Sequence, residues 1–401
     1  MIDLCLIALP NSALSNPKMY FPLGILYLTA VVKASGFSVK IVDMRGGKKR
    51  LPKAEFYGFS CTTPEMPCAK ELIKGIKGQT IIGGAHPTLK PSDCSEFDYV
   101  VAGEGEMPIQ NILKGNAKSK LFIADRLKNL DDIPYPDWDA AEDCFSEELF
   151  PGERYGQGQK AMTLITSRGC PYKCSFCGNI FNNPVIWRSA QNIIGELEQL
   201  IKRGVTHFRF EDDNFTVHPD FDNLCLDLQR LGIHWKCHTR SNLLRQEQAE
   251  LMRWAGCEEC GMGVESADDR VLGINNKKET VKHHIQAIHY LHKAGIRVKT
   301  YFIAGLPGET SETIKINKSF FMACKPDKWT LSTFTPYPGC DVYNNPEKYK
   351  VKILDWDYSH WWNFVEQGFV HELEGQTQEE MWERYKEFYG WLLREEWKGK
   401  N

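Results

Sequence analysis

Three cysteines in the middle of the chain could ligate a metal centre. The stretch SRGCPYKCSFCGN carries Cys170, Cys174 and Cys177 with the spacing C-x₃-C-x₂-C. This spacing matches neither the four-cysteine runs of ferredoxins nor a zinc finger with its second ligand pair. Three thiolates can hold three irons of a 4Fe-4S cluster and leave the fourth iron open to a ligand from outside the protein. Zinc is the simpler alternative, and the spacing disfavours it.

The elements around the cysteines alternate between strand and helix patterns. After the strand AMTLITS come the helix AQNIIGELEQLIKRG, the strand HFRFED and further pairs as far as the strand RVKTYFIAG. Five or six such units predict a full or partial parallel (β/α) barrel, with its chemistry at the carboxyl ends of the strands. The cysteine loop follows the first of these strands. WTLSTFTPYPG is a candidate last strand, and the tail after it is rich in Trp and ends in a helix.

The amino-terminal part predicts an α/β doubly wound, Rossmann-like sheet. LCLIAL, SVKIVDM, EFYGFSC, TIIGG and FDYVVAGEG are typical of strands, and LGILYLTAVVKASG is typical of a helix. Such sheets bind ligands at the carboxyl ends of their strands. The residues expected at that edge are Pro22, Leu23, Gly24, Ser60, Thr62, Thr63, Gly83, Gly84, His86, Pro87, Thr88, Gly103 and Glu104.

We predict three segments: a first domain over residues 1–140, a second over 159–335 and a carboxy-terminal, mostly helical tail over 336–401. Pro, Gly and Asp are frequent between about 130 and 158, which predicts a linker with the boundary near Tyr155. The aromatic tail either packs against the barrel or, through DYSHWWNF, closes the substrate side of the site.

Composition excludes several classes of function. The 401 residues carry a formal net charge of −3, which gives no basic field for a nucleic acid. There is no apolar run long enough to span a membrane and no signal-peptide pattern at the start, so we expect a cytoplasmic protein. Most of the 14 cysteines should then be small buried residues. This includes the C-x-x-C pair Cys257 and Cys260, for which a redox pair or half a metal site is the alternative.

The motif TSRGCPYKCSFC resembles the signature of the radical S-adenosylmethionine (SAM) enzymes, and the likeness extends over about residues 162–335. The resemblance implies that SAM chelates the open iron of a 4Fe-4S cluster and is cleaved to a 5′-deoxyadenosyl radical under reducing, anaerobic conditions. It also implies that Phe176 lies near the adenine, that Glu211 or Asp212 holds the SAM amine and that Arg240 faces the SAM carboxylate.

Two later motifs complete this resemblance. GMGVESADDRVL implies that Glu265 and Ser266 contact the ribose, and FIAGLPGET implies that Ile303, Gly305 and Glu309 line the adenine site. Taken singly, such residues are more often structural ion pairs or helix caps. Four elements in the family's order after the cysteines favour the joint interpretation.

In combination, PLGILYLTAVVKASGFSVKIVD, GGAHPT and VVAGEGEMPIQNIL resemble the cobalamin-binding domain fused ahead of many radical SAM domains. The D-x-H-x-x-G element that supplies a histidine to cobalt is absent, since no acidic residue stands two positions before His86. The resemblance therefore implies cobalt without a histidine ligand, with AHPT as a loop near the corrin and residues 62–66 as a loop over its lower face. A domain that has lost cobalamin is the alternative.

These resemblances imply a cobalamin-dependent methyltransferase that methylates an unactivated carbon. One SAM methylates cobalamin and a second yields the radical that takes hydrogen from the substrate. The alternatives are a cyclase, rearrangement or oxidation enzyme without methyl transfer, as in the anaerobic porphyrin ester cyclases, and a non-catalytic cobalamin-binding or sensing protein. The expected partners are a small molecule or a peptide side chain as substrate, and an electron donor such as ferredoxin or flavodoxin.

Overall fold

The computed structural model describes residues 2–10, 22–47, 49–140, 160–181, 184–362 and 368–398. The chain forms two compact units: one comprises Met1–Cys170 and Ile180–Glu211, and the other comprises Pro171–Asn179 and Asp212–Asn401. Part of the predicted linker, including the boundary at Tyr155, lies outside the described residues. No helix among those described is long and apolar enough to cross a membrane.

The first unit opens with a parallel six-stranded sheet. Its elements are β1 (Ile2–Ala8), α1 (Leu23–Ala34), β2 (Val39–Asp43), β3 (Ala54–Ser60), α2 (Met66–Ile73), β4 (Gln79–Gly83), α3 (Ala85–Leu89), β5 (Tyr99–Ala102), α4 (Glu106–Leu113) and β6 (Leu121–Ile123). The strand order is β2-β1-β3-β4-β5-β6. This order reverses direction between β1 and β3, as in doubly wound folds that bind ligands at that point. The predicted fold class is confirmed.

Burial explains why these segments form a sheet with helices against it. β1 lies inside the sheet, and Leu4, Leu6 and Ala8 are at most 2% exposed. Ile25 and Val32 of α1 pack against these residues in one apolar cluster. A parallel strand covered on both faces needs such a continuous apolar sequence, which is why LCLIAL predicts β1 correctly.

The same unit contains the strands on either side of the cysteine loop in sequence. They are β7 (Lys160–Leu164), β8 (Ser167–Arg168), β9 (Ile186–Trp187), α5 (Ala190–Lys202) and β10 (Val205–Phe210). β7 and β10 pair in parallel, whereas β8 and β9 form a short antiparallel pair. The backbone N–H of Glu211 donates to the carbonyl of Leu164 over 2.9 Å, which joins the ends of β10 and β7.

The second unit continues the alternation of strands and helices. Its elements are α6 (Phe221–Leu231), β11 (His234–Thr239), α7 (Gln246–Trp254), β12 (Cys257–Glu265), α8 (Asp269–Ile274), α9 (Val281–Ala294), β13 (Arg297–Ala304), α10 (Ser311–Cys324), β14 (Lys328–Thr333), α11 (Asp341–Asn344), β15 (Val351–Ile353), β16 (His371–Leu373) and α12 (Gln378–Lys398). β11 to β14 are neighbours in parallel. β7 and β10 to β14 thus alternate with helices as in a partial (β/α) barrel.

The tail packs into the core of the second unit. Tyr385 and Phe388 of α12 are at most 1% exposed, and the Phe388 ring lies 5.7 Å from that of Phe302 on β13. Trp361 is fully buried, and its indole N–H donates to the carbonyl of Asp355 over 3.0 Å. These contacts support the packing alternative for the tail. The end of DYSHWWNF lies outside the described residues.

One local prediction is wrong. AHPT, predicted as a loop, forms the helix α3. Gly84, the residue before this helix, has a φ of 101°, a conformation that a glycine adopts readily. The helix begins directly after this turn, although Pro87 by itself would not indicate a helix. The three-residue strand β6 and the short pairs β8/β9 and β15/β16 were not predicted either, because strands this short carry no measurable periodicity.

Candidate active site

The loop between the second and third cysteines of the triplet is held at Ser175. Its backbone N–H and its hydroxyl both donate to Asn275, to the carbonyl and to Oδ1, each over 3.0 Å. Its own carbonyl accepts from the N–H of Val342 over 3.0 Å. Ser175 is 1% exposed, and Cys174 and Cys177 lie on either side of it. A buried anchor between two ligand positions is a suitable support for a metal cluster.

The thiols of the loop are compatible with a cluster. Cys170, Cys174 and Cys177 form no disulfide, Cys170 and Cys174 are half-buried, and Cys177 is exposed. Within the described residues, no three His, Cys, Asp or Glu side chains are arranged to hold a single metal ion. A 4Fe-4S cluster does not require such convergence, because each thiolate binds a different iron.

Arg240 lies beside the middle cysteine, immediately after β11. Its Nη1 is 3.5 Å from Cys174 Sγ, and its guanidinium lies 3.8 Å from the centre of the Tyr172 ring. Nη2 forms an ion pair with Glu279 over 3.1 Å and donates to the carbonyl of Lys277. This arrangement places a buried guanidinium directly beside the middle cysteine of the triplet.

A second cation, which the sequence analysis missed, completes the group. Lys277 is 5% exposed, and its Nζ contacts Glu265 over 3.1 Å and Glu279 over 3.3 Å. Burial alone would lower the pKa of Lys277, but the two carboxylates raise it above its usual value. Its Nζ also lies 6.0 Å from the centre of the Phe176 ring. The site thus brings the predicted residues Phe176, Arg240 and Glu265 together with Cys174, through Lys277.

Glu265 adopts an unusual backbone conformation at the end of β12. Its φ is 61°, in the left-handed region that costs energy for a residue with a side chain. A Cβ placed at Gly263 would lie 2.2 Å from Glu265 Oε1, so the Glu265 carboxylate packs directly against the glycine. Backbone strain of this kind is found most often at functional sites, where the surrounding packing holds the residue in the strained conformation.

Three other residues predicted to contact SAM, Ser266, Gly305 and Glu309, accept hydrogen bonds from within the protein. The Ser266 hydroxyl accepts from the N–H of Asp268 over 3.2 Å. Ile303 is half-buried near the end of β13. Gly305 accepts at its carbonyl from His371 Nε2 over 3.0 Å, and Glu309 accepts at its carbonyl from Gln376 over 2.9 Å. The β13 end is thus covered by the tail.

Three further carboxylates that the sequence analysis assigned to SAM differ in environment. Burial raises the pKa of Glu309 to about 7, and its side chain is 3% exposed. Glu211, after β10, forms an ion pair with Arg209. Asp212 is 2% exposed. These placements leave the predicted roles of the three residues as predictions.

The loops after β3, β4 and β5 meet at one edge of the amino-terminal sheet. The N–H of Cys61 donates to the carbonyl of Gly83 over 2.8 Å, and a Cβ at Gly84 would lie 2.6 Å from that same Cys61 nitrogen. Thr88 Oγ1 donates to the carbonyl of Gly84 over 2.7 Å and accepts from the N–H of Gly103 over 2.9 Å. The predicted cobalamin residues of three strands therefore form one connected surface.

His86 lies under this surface. It is fully buried, and its Nδ1 is 3.1 Å from Thr63 Oγ1. Burial lowers the pKa of His86 to about 4, so the imidazole is neutral at pH 7. The turn beside it is held by Glu65, whose carboxylate accepts from the N–H and the hydroxyl of Thr62, each over 2.7 Å.

The remaining predicted cobalamin residues stand at neighbouring strand and helix ends. Pro22 is the residue before α1, and Leu23 and Gly24 are its first two residues. Ser60 ends β3, and Pro87 is buried within α3. Glu104 is 4% exposed, and its carboxylate is occupied by Arg126 and Arg168.

The buried cysteines confirm a sequence prediction. Cys257 and Cys260 are fully buried and lie next to Cys237. Burial raises the pKa of Cys257 and holds that of Cys237 well above its usual value. The raised pKa values keep Cys237 and Cys257 protonated, and full burial of Cys257 and Cys260 makes this pair part of the core.

Comparison with known proteins agrees with the fold. Residues 164–318, which contain the triplet, Arg240 and Lys277, match the radical SAM superfamily. Residues 17–113 match the B12 binding domain. The chain therefore combines a B12-binding domain with a radical SAM domain that uses a 4Fe-4S cluster and SAM.

Several relatives share both domains. The chain is 28% identical over 365 residues to an uncharacterized methyltransferase of Pyrococcus horikoshii, covering 80% of this chain and 77% of the relative. It is 27% identical to the bacteriochlorophyllide d C-12(1)-methyltransferase of Chlorobaculum tepidum (83% and 75% covered). It is also 27% identical to the anaerobic magnesium-protoporphyrin IX monomethyl ester cyclase of Rubrivivax gelatinosus (86% and 69% covered).

A solved structure shows the same fold. The radical SAM methyltransferase TsrM from Kitasatospora setae, with cobalamin and a 4Fe-4S cluster bound, superposes with a TM-score of 0.66 at 17% identity, covering 85% of this chain and 77% of TsrM. The two matched domains together are those of the cobalamin-dependent radical SAM enzymes. The relatives of the chain within that class are mostly methyltransferases, and some are cyclases.

Proposed function

We propose that this enzyme methylates an unactivated carbon of its substrate, using a methyl group carried by cobalamin and a 5′-deoxyadenosyl radical. The observation that carries the proposal is the likeness to methyltransferases over about four fifths of the chain, in both domains together. When bound, the cluster supplies the electron that cleaves SAM, and cobalamin supplies the methyl group. The protein provides binding, orientation and exclusion of water.

The cation group beside Cys174 suits the amino acid end of SAM. Arg240 and Lys277 are buried and lie in one network with Glu265 and Glu279. Two cations and two carboxylates balance in charge, so the network is neutral before SAM binds, and the carboxylate of SAM would add a further acceptor to it. We assign Arg240 to the carboxylate, because its guanidinium presents a planar fork of donors.

The amino-terminal domain suits a cobalamin without a histidine on cobalt. His86 is buried, neutral and directed at Thr63. The connected edge formed by Gly83, Gly84 and Gly103 allows the backbone to approach a large flat ligand. We therefore propose these loops as the contact surface for the corrin. We also propose that the cobalamin-binding domain comprises residues 1–140 and the radical SAM domain residues 159–335, followed by the tail.

A cyclisation or oxidation without methyl transfer is the second candidate. It is favoured by the likeness to the magnesium-protoporphyrin ester cyclase over 86% of the chain. The relatives from Chlorobaculum tepidum and Rubrivivax gelatinosus are named for small-molecule substrates, so we propose a small-molecule substrate first and a peptide side chain second. A ferredoxin or flavodoxin is proposed as the electron donor.

The experiment is an anaerobic incubation of the reconstituted enzyme with SAM that carries a trideuterated methyl group, dithionite and candidate substrates. We expect both S-adenosylhomocysteine and 5′-deoxyadenosine, together with a product that has gained the labelled methyl group. Formation of 5′-deoxyadenosine with an unlabelled product would favour the cyclase class. Failure to cleave SAM at all would favour a non-catalytic cobalamin-binding protein.

A cysteine variant tests the cluster assignment directly. Cys174→Ala should abolish 5′-deoxyadenosine formation and leave cobalamin binding intact, because the thiol is a cluster ligand in the other domain. Cys324→Ala is the matched control, since Cys324 is also a half-buried free cysteine but lies in α10. Continued formation of 5′-deoxyadenosine by Cys174→Ala would contradict the assignment.

A further inference from the structure

Two glutamates of the cobalamin-binding domain pair with an arginine of the cysteine motif. Glu104 and Glu106 belong to the GEGE sequence after β5, and Arg168 stands two residues before Cys170. Arg168 Nη2 is 2.8 Å from Glu106 Oε1, and Nη1 is 3.3 Å from Glu104 Oε1. The two glutamates are 4% exposed and Arg168 is 8% exposed. An ion pair this deeply buried is costly unless every partner is present, so it constrains both segments that contribute to it.

A second arginine completes the network. Arg126 Nη1 is 3.3 Å from Glu104 Oε1, and its Nη2 donates to the carbonyl of Arg168 over 2.9 Å and to that of Pro184 over 3.3 Å. The other oxygen of Glu104 accepts from the N–H of Leu127. Both oxygens of Glu104 are thus committed to the protein, and two guanidiniums balance two carboxylates.

The backbone that leads into Cys170 is held at the next residue too. Gly169 has φ of 111°, and a Cβ there would lie 2.5 Å from the carbonyl oxygen of Phe181. The Arg126 guanidinium lies 4.7 Å from the centre of the Phe181 ring. The two residues before Cys170 are therefore fixed by a salt-bridge network on one side and by close backbone packing on the other.

We infer that Arg168 is a positioning residue. Its ion pairs with Glu104 and Glu106 fix the backbone before Cys170, and this holds Cys170 in place for the cluster. In this role the two glutamates act on the cluster side of the enzyme, through Arg168 and Arg126, and Glu104 is not a contact of cobalamin. This proposal is an alternative to the cobalamin contact that the sequence analysis predicts for Glu104. It applies to any reaction of this enzyme class, since it concerns the cluster and not the methyl transfer.

Isosteric variants test this inference in the full chain with a reconstituted cluster and before cobalamin is added. Glu104→Gln or Glu106→Gln would present an amide NH₂ to a guanidinium and leave a buried charge without its partner. We expect the rate at which a ferrous chelator removes iron to rise about tenfold or more in each variant, as for other groups that support metal ligands. The electron paramagnetic resonance spectrum of the reduced cluster with SAM should change as well, which a general loss of stability would not produce.

The matched control is Glu96→Gln. Glu96 lies in the same domain and pairs with Lys70 over 3.0 Å, but both side chains of that pair are exposed. Glu96→Gln should release iron at the wild-type rate. Cobalamin affinity, measured separately by absorbance titration, should be the same in Glu104→Gln as in Glu96→Gln.

Three results would overturn the inference. The first is weakened cobalamin binding in Glu104→Gln with an iron release rate equal to that of the control, which would make Glu104 a cobalamin contact. The second is no change in either measurement. The third concerns Arg168→Lys, which keeps the charge but loses the planar fork. This variant decides the case in which Glu104→Gln alters both measurements or does not fold. Faster iron release from Arg168→Lys with unchanged cobalamin affinity would support the inference, and iron release at the wild-type rate would refute it.

Discussion

Replacement of Lys277 by methionine tests the charge network beside Cys174. Lys277 is the partner of two buried carboxylates, at 3.1 Å from Glu265 and 3.3 Å from Glu279. In the variant, Arg240 still pairs with Glu279 over 3.1 Å, so Glu265 loses its cation. Breaking a buried ion pair costs about 3–5 kcal/mol. Because one of the two carboxylates keeps a partner, we expect the lower end, about 3 kcal/mol.

The assay is urea unfolding of the cluster-free chain, with the free energy of unfolding compared between variants. Lys315→Met is the matched control, since Lys315 pairs with Glu312 over 2.9 Å but both side chains are exposed. Solvent screens that surface pair, so its loss should change the free energy of unfolding little. The double variant Lys277→Met with Glu265→Gln should recover part of the loss, because it removes the unpaired charge as well.

Two outcomes would refute this reasoning. If Lys277→Met destabilises the chain no more than Lys315→Met, the network does not hold buried charges in place. If the losses of Lys277→Met and Glu265→Gln simply add in the double variant, the two side chains are not coupled. The same variant should also weaken SAM binding, which equilibrium dialysis would measure.

Two further predictions concern the backbone and pH. Gly84→Ala should weaken cobalamin binding and lower the free energy of unfolding more than Gly36→Ala does. Both glycines have a positive φ, so an alanine at either position adds about 1–3 kcal/mol of backbone strain. Only a Cβ at Gly84 would also meet another atom, the backbone nitrogen of Cys61 at 2.6 Å. Equal losses in urea unfolding would contradict the close approach. His284 is buried against Ser241, and burial lowers its pKa to about 4. In the unfolded chain this histidine binds its proton near pH 6.5, so the free energy of unfolding should fall as the pH drops from about 6.5 to 4. The fall from this group should be up to about 1.4 kcal/mol per pH unit. His284→Gln should flatten that slope, and an unchanged slope would exclude His284 as its source.

Much of the fold and the cysteine site could be predicted because their signals are local. The triplet spacing, the apolar runs of β1 and β4 and the helical periodicity of α5 and α9 each lie within a short segment. Such segments express the physics of one strand, one turn or one loop, and their order along the chain indicates the class of fold. The same locality explains why the burial of the C-x-x-C pair was predicted correctly.

Tertiary structure decided which side chains meet. Glu104 and Arg168 are 64 residues apart in sequence, and Arg240 lies 66 residues from Cys174. Lys277 stands in the run NKKET, which resembles an exposed charged turn until the fold buries it between two carboxylates. Short patterns do not encode such long-range pairs, because burial and charge partners come only from the assembled strands and helices. The sequence by itself thus determined the cofactor chemistry, and the tertiary structure decided which charged residues support it.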